Sequence, residues 1–393
     1  MKIVFLAPFG IRPKGTVIAR MLPLAVELQR LGDEVVIVAP PYTNPEDSGK
    51  TETLRGVRLV NMVLPKGGRA AAAPALAWRM HRSALAEKPD LIHLFKPKGY
   101  GGLAAMLHLA LRRAQPLFVD TDDWEGKGGM NALHDYSSAE RRLYDLQEQW
   151  IPKRAAGVTV ASRELQAQVL GMGLPEEKVL YLPNGVEQKP AGDGAKVRQR
   201  LGIPPDAPVV LLYTRFFEFS QERLHRVFEE LSRRVPGVRF LVVGKGRQGE
   251  EDLLLAAARA GGFADAVTMG GWLRVEEIPD HLAAADVAVY PLDDTVVNRA
   301  KCPAKLTEIL LAGIPVVADR VGQAAEYVQH GVSGILTDPA DPLEMVGETV
   351  RLLGDHELRR RLGEQASRHL LLNFSWRDAA CRLHHFYRNA GRR

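Results

Sequence analysis

Lys305 and Glu308 stand three residues apart in the segment Asn298 to Asp319, NRAKCPAKLTEILLAGIPVVAD. On a helix that spacing puts them on one face. A lysine can meet phosphate or sugar oxygens, and a glutamate can accept from both hydroxyls of a ribose. The helix carrying them is expected to start at Pro303, because the missing proline N–H would be unpaired in a first turn anyway. Free amides at that end, together with the helix dipole, make a seat for phosphate. Gly313 stops the helix, and Pro315-Val316-Val317-Ala318 reads as a short buried strand. A cation and a carboxylate beside an anion seat suit a sugar nucleotide.

Other loops with chemical potential follow apolar runs. Arg215 comes just after Val209 to Tyr213, where a guanidinium fork would match phosphate. Gly244-Lys245-Gly246-Arg247-Gln248-Gly249 is a G-x-G-x-x-G sequence after a strand. A dinucleotide site would need an acid at the end of the next strand. That strand, Ala266 to Met269, runs into Gly270-Gly271-Trp272 instead, so a nicotinamide cofactor ranks below a sugar nucleotide. Asp120, Asp122, Asp123 and Glu125 crowd one loop and repel one another unless cations or donors meet them. A Mg²⁺ or Mn²⁺ site is one reading. Hydroxyl binding by Asp122 or Asp123 is the other. Gly15 closes the loop Pro8 to Thr16, where it could let the backbone approach a ligand or merely make a tight turn. Trp272 reads on its own as a core residue. His93 ends a buried strand and reads as structural.

These side chains need a scaffold, and its scale is set by the whole chain. At 393 residues two or three domains are expected. With 46% apolar and 25% charged residues the composition is that of a soluble globular protein. The two cysteines, Cys302 and Cys381, exclude a disulfide framework and fit a reducing cytosol. No apolar run reaches the ~20 residues of a membrane span, and Lys2 to Ala7 is too short for a signal peptide. Residues 1–190 hold 25 Lys+Arg against 20 Asp+Glu, whereas residues 191–393 hold 27 of each. The +5 excess of the first half suits an anionic partner such as membrane lipid, or is scattered solvated charge. No basic cluster with interleaved aromatics points to nucleic acid.

Short apolar strands alternate with amphipathic helices through both halves, which argues parallel sheets covered on both faces. In the first half the strands are Ile3 to Ala7, Glu34 to Ala39, Val57 to Leu64, Asp90 to Leu94, Leu117 to Asp120 and Gly157 to Ala161. Helices are expected over Val17 to Leu31, Ala75 to Glu87, Leu103 to Ala114 and Ser138 to Ala155. The second half begins its own series at Val209, after a Pro-, Asn- and Gly-punctuated linker from Leu182 to Gly194.

Cys302-Pro303-Ala304-Lys305-Leu306-Thr307-Glu308 followed by Ala312-Gly313-Ile314-Pro315-Val316-Val317 resembles the donor-site helix of GT-B glycosyltransferases, most of all the retaining family 4. The resemblance covers nearly the whole chain. It implies an α/β fold of two Rossmann-like, doubly wound domains facing a cleft. Residues 1–187 would bind acceptor, 188–373 would bind nucleotide sugar, and the last helix, 374–393, would cross back to the first domain. By the same resemblance Arg215 clamps the donor diphosphate, and Gly15, Gly244, Gly246, Trp272, Lys301, Cys302, Lys305 and Glu308 line the donor. Asp122 stands where many members have a histidine touching the transferred sugar, and is grouped with Arg215 and Lys305 as catalytic. Two further family features are missing. Gln221 replaces a usual lysine, leaving Arg223 or Lys301 to supply the contact, and Ala300 replaces a first glutamate, for which Asp293 or Asp294 could serve.

The implied reaction moves a hexose from a UDP-sugar, or next a GDP-sugar, to a hydroxyl acceptor with retention, in envelope polysaccharide or glycolipid synthesis. It requires no metal and no further cofactor. The implied location is the cytoplasm, with peripheral attachment to the inner membrane face. A sugar-nucleotide epimerase on the same fold and a non-catalytic sugar-nucleotide binder are the rival readings.

Overall fold

A computed structural model describes residues 1–12, 15–65 and 69–390. Lys14, the partner of Gly15 in its loop, lies outside the described residues. The chain divides into two units, one comprising Met1–Gly185, Ala300–Cys302 and Ser375–Arg393, the other Val186–Arg299 and Pro303–Phe374.

In the first unit the strands are β1 (Lys2–Leu6), β2 (Glu34–Ala39), β3 (Thr51–Leu54), β4 (Val57–Asn61), β5 (Leu91–Phe95), β6 (Leu117–Thr121), β7 (Gly157–Val160) and β8 (Val179–Tyr181). They form one sheet in the order β3-β4-β2-β1-β5-β6-β7-β8. All neighbours are parallel except the β3-β4 pair. The apolar runs of β1, β5 and β6 are buried on both faces, as a sheet covered by helices on both sides requires. Strand order reverses between β1 and β5, so the loops after those two strands flank the switch point where ligands of such sheets bind.

Several elements differ from the sequence expectation: the helix expected over Ala75 to Glu87 begins at Arg69, and the one expected over Leu103 to Ala114 runs Gly99–Ala110. The strand expected to run from Val57 to Leu64 stops at Asn61 and pairs with an unforeseen antiparallel β3. Arg55 and Gly56 join the two with φ of 50° and 85°, the doubly left-handed turn that matches hairpin twist. The helix expected to reach Ala155 ends at Trp150, and Pro152 opens a separate 3₁₀ turn. Its start is set by a reciprocal Ser137–Glu140 capping box.

The final helix, Trp376–Ala390, lies in the core of this first unit. Its Trp376, Ala380, Leu383 and Tyr387 are buried with Leu24 and Leu28 of the helix Leu22–Arg30. Gly185 and Gly157 are required by this packing, because a Cβ at either would lie 2.7 or 2.6 Å from the Trp376 or Phe386 side chain.

Two buried histidines of this unit make stability pH-dependent. Burial, aided by His108 and Arg113, holds His81 at about 4. Burial, aided by Arg20, holds His93 at about 3. Both lie below the ordinary 6.5, so below that pH the unfolded chain takes up protons that the fold refuses. Stability is therefore expected to fall as pH drops from about 6.5 towards 4. Chemical unfolding across that window should show the decline, and His81→Leu should reduce it.

The second unit holds β9 (Val209–Thr214), β10 (Arg239–Gly244), β11 (Val267–Gly271), β12 (Val287–Tyr290), β13 (Val316–Asp319) and β14 (Ile335–Thr337). This sheet is wholly parallel, in the order β11-β10-β9-β12-β13-β14. Its switch point lies between β9 and β12. The helix Gln221–Arg234, capped by Ser220, covers one face and stacks Phe228 on Phe240 at 4.2 Å.

Candidate functional site

The carboxyl ends of β1, β5 and β6 bring together a buried ionic network in the first unit. Arg20 sits in a π-helical turn, Val17–Met21, and forks onto Asp120 at 2.7 and 2.6 Å, with 1% and 0% of the two side chains exposed. Its remaining N–H groups donate to Asn184 Oδ1 at 3.0 Å and the Leu182 carbonyl at 2.9 Å. Asp120 is therefore a structural anion, already compensated, and not a member of a ligand-binding acidic cluster.

The other three acids surround Lys96. Its ammonium pairs with Asp123, lies 3.1 Å from Glu125 Oε1, and lies 3.0 Å from Asp122 Oδ1 in ion-pair rather than hydrogen-bond geometry. Lys98 reaches Glu125 Oε2 at 2.5 Å. The Thr16 hydroxyl donates to Asp122 Oδ2 at 3.1 Å. Burial alone would push the Glu125 carboxyl up, but Lys96 and Lys98 reverse this and hold it at about 2. Burial likewise opposes charge on Lys96, and Asp122, Asp123 and Glu125 overcome it, raising the ammonium well above its ordinary value. Behind them burial, and then Glu125, drive the Glu148 carboxyl well above its ordinary range, and its Oε2 accepts the Glu125 N–H at 3.2 Å.

Lys96 and Lys98 were missed in the sequence. The available signal was a Lys-Pro-Lys run directly after a buried strand, at the end of the sheet where ligands bind. Lys96 also adopts φ 56°, a left-handed conformation that is uncommon for a residue with a side chain. His93 is a core residue, bonded to the Tyr387 hydroxyl at 2.5 Å. Gly15 caps the turn that precedes Arg20, its carbonyl accepting the Ala19 N–H at 2.9 Å. Cys302 belongs to this unit, and its Sγ accepts the Asn184 N–H at 3.2 Å.

In the second unit Tyr213, Lys305 and Glu308 come together. The Tyr213 hydroxyl donates to Glu308 Oε2 at 3.1 Å, and Lys189, another residue not foreseen, donates to Oε1 at 3.0 Å. The Lys305 ammonium lies 5.3 Å from the centre of the Tyr213 ring, within cation–π range. The helix carrying them is Ala304–Leu311, one residue later than expected. Pro303 is its N-cap, with an extended ψ of 96°, and no side chain caps the first turn. Gly313, at φ 73°, ends the segment as expected. Arg215 follows β9 directly and is exposed, so its guanidinium is presented at the switch point. Lys301, half-buried, belongs instead to the first unit.

In the turn after β10 the backbone amides are taken up by carboxylates. Gly244 has φ 128°, and a Cβ there would sit 1.9 Å from the Thr214 carbonyl oxygen. The Gly246 and Gln248 amides donate to Glu251 at 2.9 Å and Glu250 at 2.7 Å. A pyrophosphate at this turn would meet two carboxylates. Trp272 is 62% exposed just after β11, which removes the core reading. Arg223, offered as a substitute cation, is held by Asp319 and, at 3.1 Å, by Asp293. Asp294 pairs with Arg299 at 2.8 Å. Either aspartate would have to give up that pairing to replace the missing first glutamate.

Residues 15–185 match the glycosyl transferase 4-like domain, and residues 207–355 match the glycosyl transferases group 1 domain. A GDP-mannose-dependent alpha-(1-6)-phosphatidylinositol monomannoside mannosyltransferase of Mycolicibacterium smegmatis is 28% identical over 363 residues, 89% of each chain. Among solved structures, the sucrose-phosphate synthase of Thermosynechococcus elongatus superimposes with a TM-score of 0.76 at 20% identity over 99% of both chains. HepE of Anabaena, in complex with UDP and glucose, superimposes with a TM-score of 0.74 at 22% identity over 99% of this chain and 100% of that one.

Proposed function

Because the chain belongs to the GT-B glycosyltransferases of the family 4, group 1 type, and so uses a nucleotide sugar, we propose that it transfers a hexose with retention from a GDP-sugar, ahead of a UDP-sugar, to a hydroxyl acceptor. The observation that carries the donor reading is the Tyr213–Glu308–Lys305 group beside a helix end without a side-chain cap. The relative matched along 89% of its length is GDP-mannose-dependent, which supports reversing the order of donors expected from sequence.

In this reading Glu308 accepts from the ribose hydroxyls. Arg215 and Lys305 hold the diphosphate, and their charge stabilises it as it leaves. The bond from the anomeric carbon to the diphosphate oxygen breaks, and the acceptor oxygen bonds to the same face. The acceptor proton passes to a diphosphate oxygen, so no side-chain base is required. In the first unit Asp122, oriented by Thr16 and Lys96, accepts from a sugar or acceptor hydroxyl.

A thermal-shift screen of GDP-, UDP- and ADP-sugars tests the donor, since a ligand of the fold raises its melting temperature by mass action. GDP-mannose is expected to give the largest shift, and no shift with any of them would overturn the reading. Product analysis with the stabilising donor then tests transfer against epimerisation.

Activity is expected to survive EDTA, because Lys96 already supplies the cation among Asp122, Asp123 and Glu125. Loss on chelation, reversed by Mg²⁺ or Mn²⁺, would assign that loop to a metal. We also propose attachment to anionic membrane, with the acceptor in envelope glycolipid or polysaccharide. Trp78, Arg79 and Arg82 are exposed on the helix Arg69–Ala86, and tryptophan with nearby arginine suits a lipid interface. Among the described residues no helix is long and apolar enough to cross a membrane. Sedimentation with anionic but not neutral vesicles at low salt is the expected result, and equal behaviour with both would remove the membrane from the proposal.

A further inference from the structure

The loop after β9 presents Arg215, and a carboxylate fixes its backbone. Glu218 is 5% exposed and accepts from the Thr214 hydroxyl at 3.1 Å and from the Arg215 N–H at 3.3 Å, both through Oε2. Thr214 Oγ1 in turn accepts the Phe216 N–H at 2.8 Å. Phe216 is held at φ 67° with its ring buried. A left-handed phenylalanine is strained, and the surroundings must outweigh that strain. They do so from several sides. The Glu218 carbonyl accepts from Asn298 Nδ2 at 2.6 Å and from the Asp293 N–H at 2.9 Å, and Gln221 Nε2 donates to the Phe216 carbonyl at 2.8 Å. Gly244 packs against the Thr214 carbonyl from below. Thr214, Phe216, Glu218 and Phe219 are buried, whereas Arg215 is exposed.

The sign of the charge makes Glu218 informative. A carboxylate close to a phosphate seat repels the ligand, and this one also takes up an amide that a phosphate oxygen could have used. Those two costs make sense if its task is to hold the loop. We propose that Glu218 is a positioning residue for the donor diphosphate: through the Thr214 hydroxyl and the Arg215 amide it fixes the strained backbone from which the Arg215 guanidinium reaches the phosphates. Glu218 touches no substrate itself. This rests on the reading of Arg215 as the diphosphate clamp.

Calorimetry with GMP, GDP, UMP and UDP separates the two ideas, because the clamp acts on the second phosphate and shows as the ratio of monophosphate to diphosphate dissociation constants. In the unmodified protein the diphosphate is expected to bind tighter, and Arg215→Ala should remove most of that ratio. Glu218→Ala should reduce the ratio at least threefold while leaving monophosphate affinity unchanged. Glu218→Gln should restore most of it, because an amide oxygen still accepts from Thr214 and Arg215. Thr214→Val should reproduce the loss and Thr214→Ser should not, which keeps the test open if Glu218→Ala fails to fold. An unaltered ratio in Glu218→Ala and Thr214→Val, or equal weakening of mono- and diphosphates, would overturn the proposal. An unaltered ratio in Arg215→Ala, or no binding of any of the four nucleotides, would instead overturn the clamp reading beneath it.

Discussion

Replacing Lys96 by methionine is expected to destabilise the first unit by about 3–5 kcal/mol, the cost of removing one partner from a buried ion pair. The effect should be large because one 6%-exposed side chain is the shared cationic partner of three carboxylates, those of Asp122, Asp123 and Glu125. Lys98 stays on Glu125 but cannot reach across to the other two through any contact seen in the structure. The loss should be greatest at neutral pH and shrink in acid as Glu125 protonates, since Glu125 is charged down to about 2 only while the lysines face it. Thermal melting of Lys96→Met at two pH values measures both parts. Restoring some stability with a second change, Glu125→Gln, would show that unpaired charge, and not lost packing, is the cause. A melting temperature that does not move in Lys96→Met would mean that the loop reorganises and that Asp122 is not held as described.

Donor binding is expected to weaken by about one to two orders of magnitude in Glu308→Ala. A charge-assisted hydrogen bond contributes roughly 1.5–3 kcal/mol, and a carboxylate on a ribose makes up to two. The structure shows a complication. The Tyr213 hydroxyl, on a side chain 8% exposed, donates to Glu308. Alanine therefore also leaves a buried donor unsatisfied, at about 1–3 kcal/mol of stability. Glu308→Gln keeps an acceptor for Tyr213 and removes the charge, so it isolates the ligand term. Calorimetry with the nucleotide sugar should find Glu308→Gln folded like the parent and weaker in binding. Equal affinity in parent and both variants would detach Glu308 from the donor.

The two sheets were legible because their strands are short, apolar and bounded by glycine, proline or amphipathic helices. Runs such as Ile3 to Leu6 and Val209 to Leu212 admit few other readings. The β3 strand was not legible. Thr51-Glu52-Thr53-Leu54 is half polar, pairs antiparallel at a sheet edge, and is only partly covered. At the site, local spacing revealed Lys305 with Glu308, and the strand-end rule revealed Arg215. The partners that decide electrostatics were hidden, because they lie far off in the chain. Arg20 meets Asp120 a hundred residues on, and Lys189 meets Glu308 after 119. An arginine inside an amphipathic helix reads as surface until its carboxylate is located. For Trp272 the sequence admitted both a core and an exposed role, and only the fold decides between them.

The place of the last helix, Trp376–Ala390, in the core of the first unit sets the order in which the chain can mature. Synthesis runs from the N-terminus, yet the surface formed by Leu24, Leu28 and their neighbours has no cover until the ribosome has released residues 376–390. At about 5–20 residues per second, the roughly two hundred residues after Gly185 keep that surface uncovered for roughly 10–40 s. The second unit, almost continuous in sequence, can close during that interval, so the later half of the chain would be finished before the earlier one. A fragment cut at Gly185 would be an aggregation-prone folding intermediate, not an isolated domain, unless the missing helix were supplied as a separate peptide.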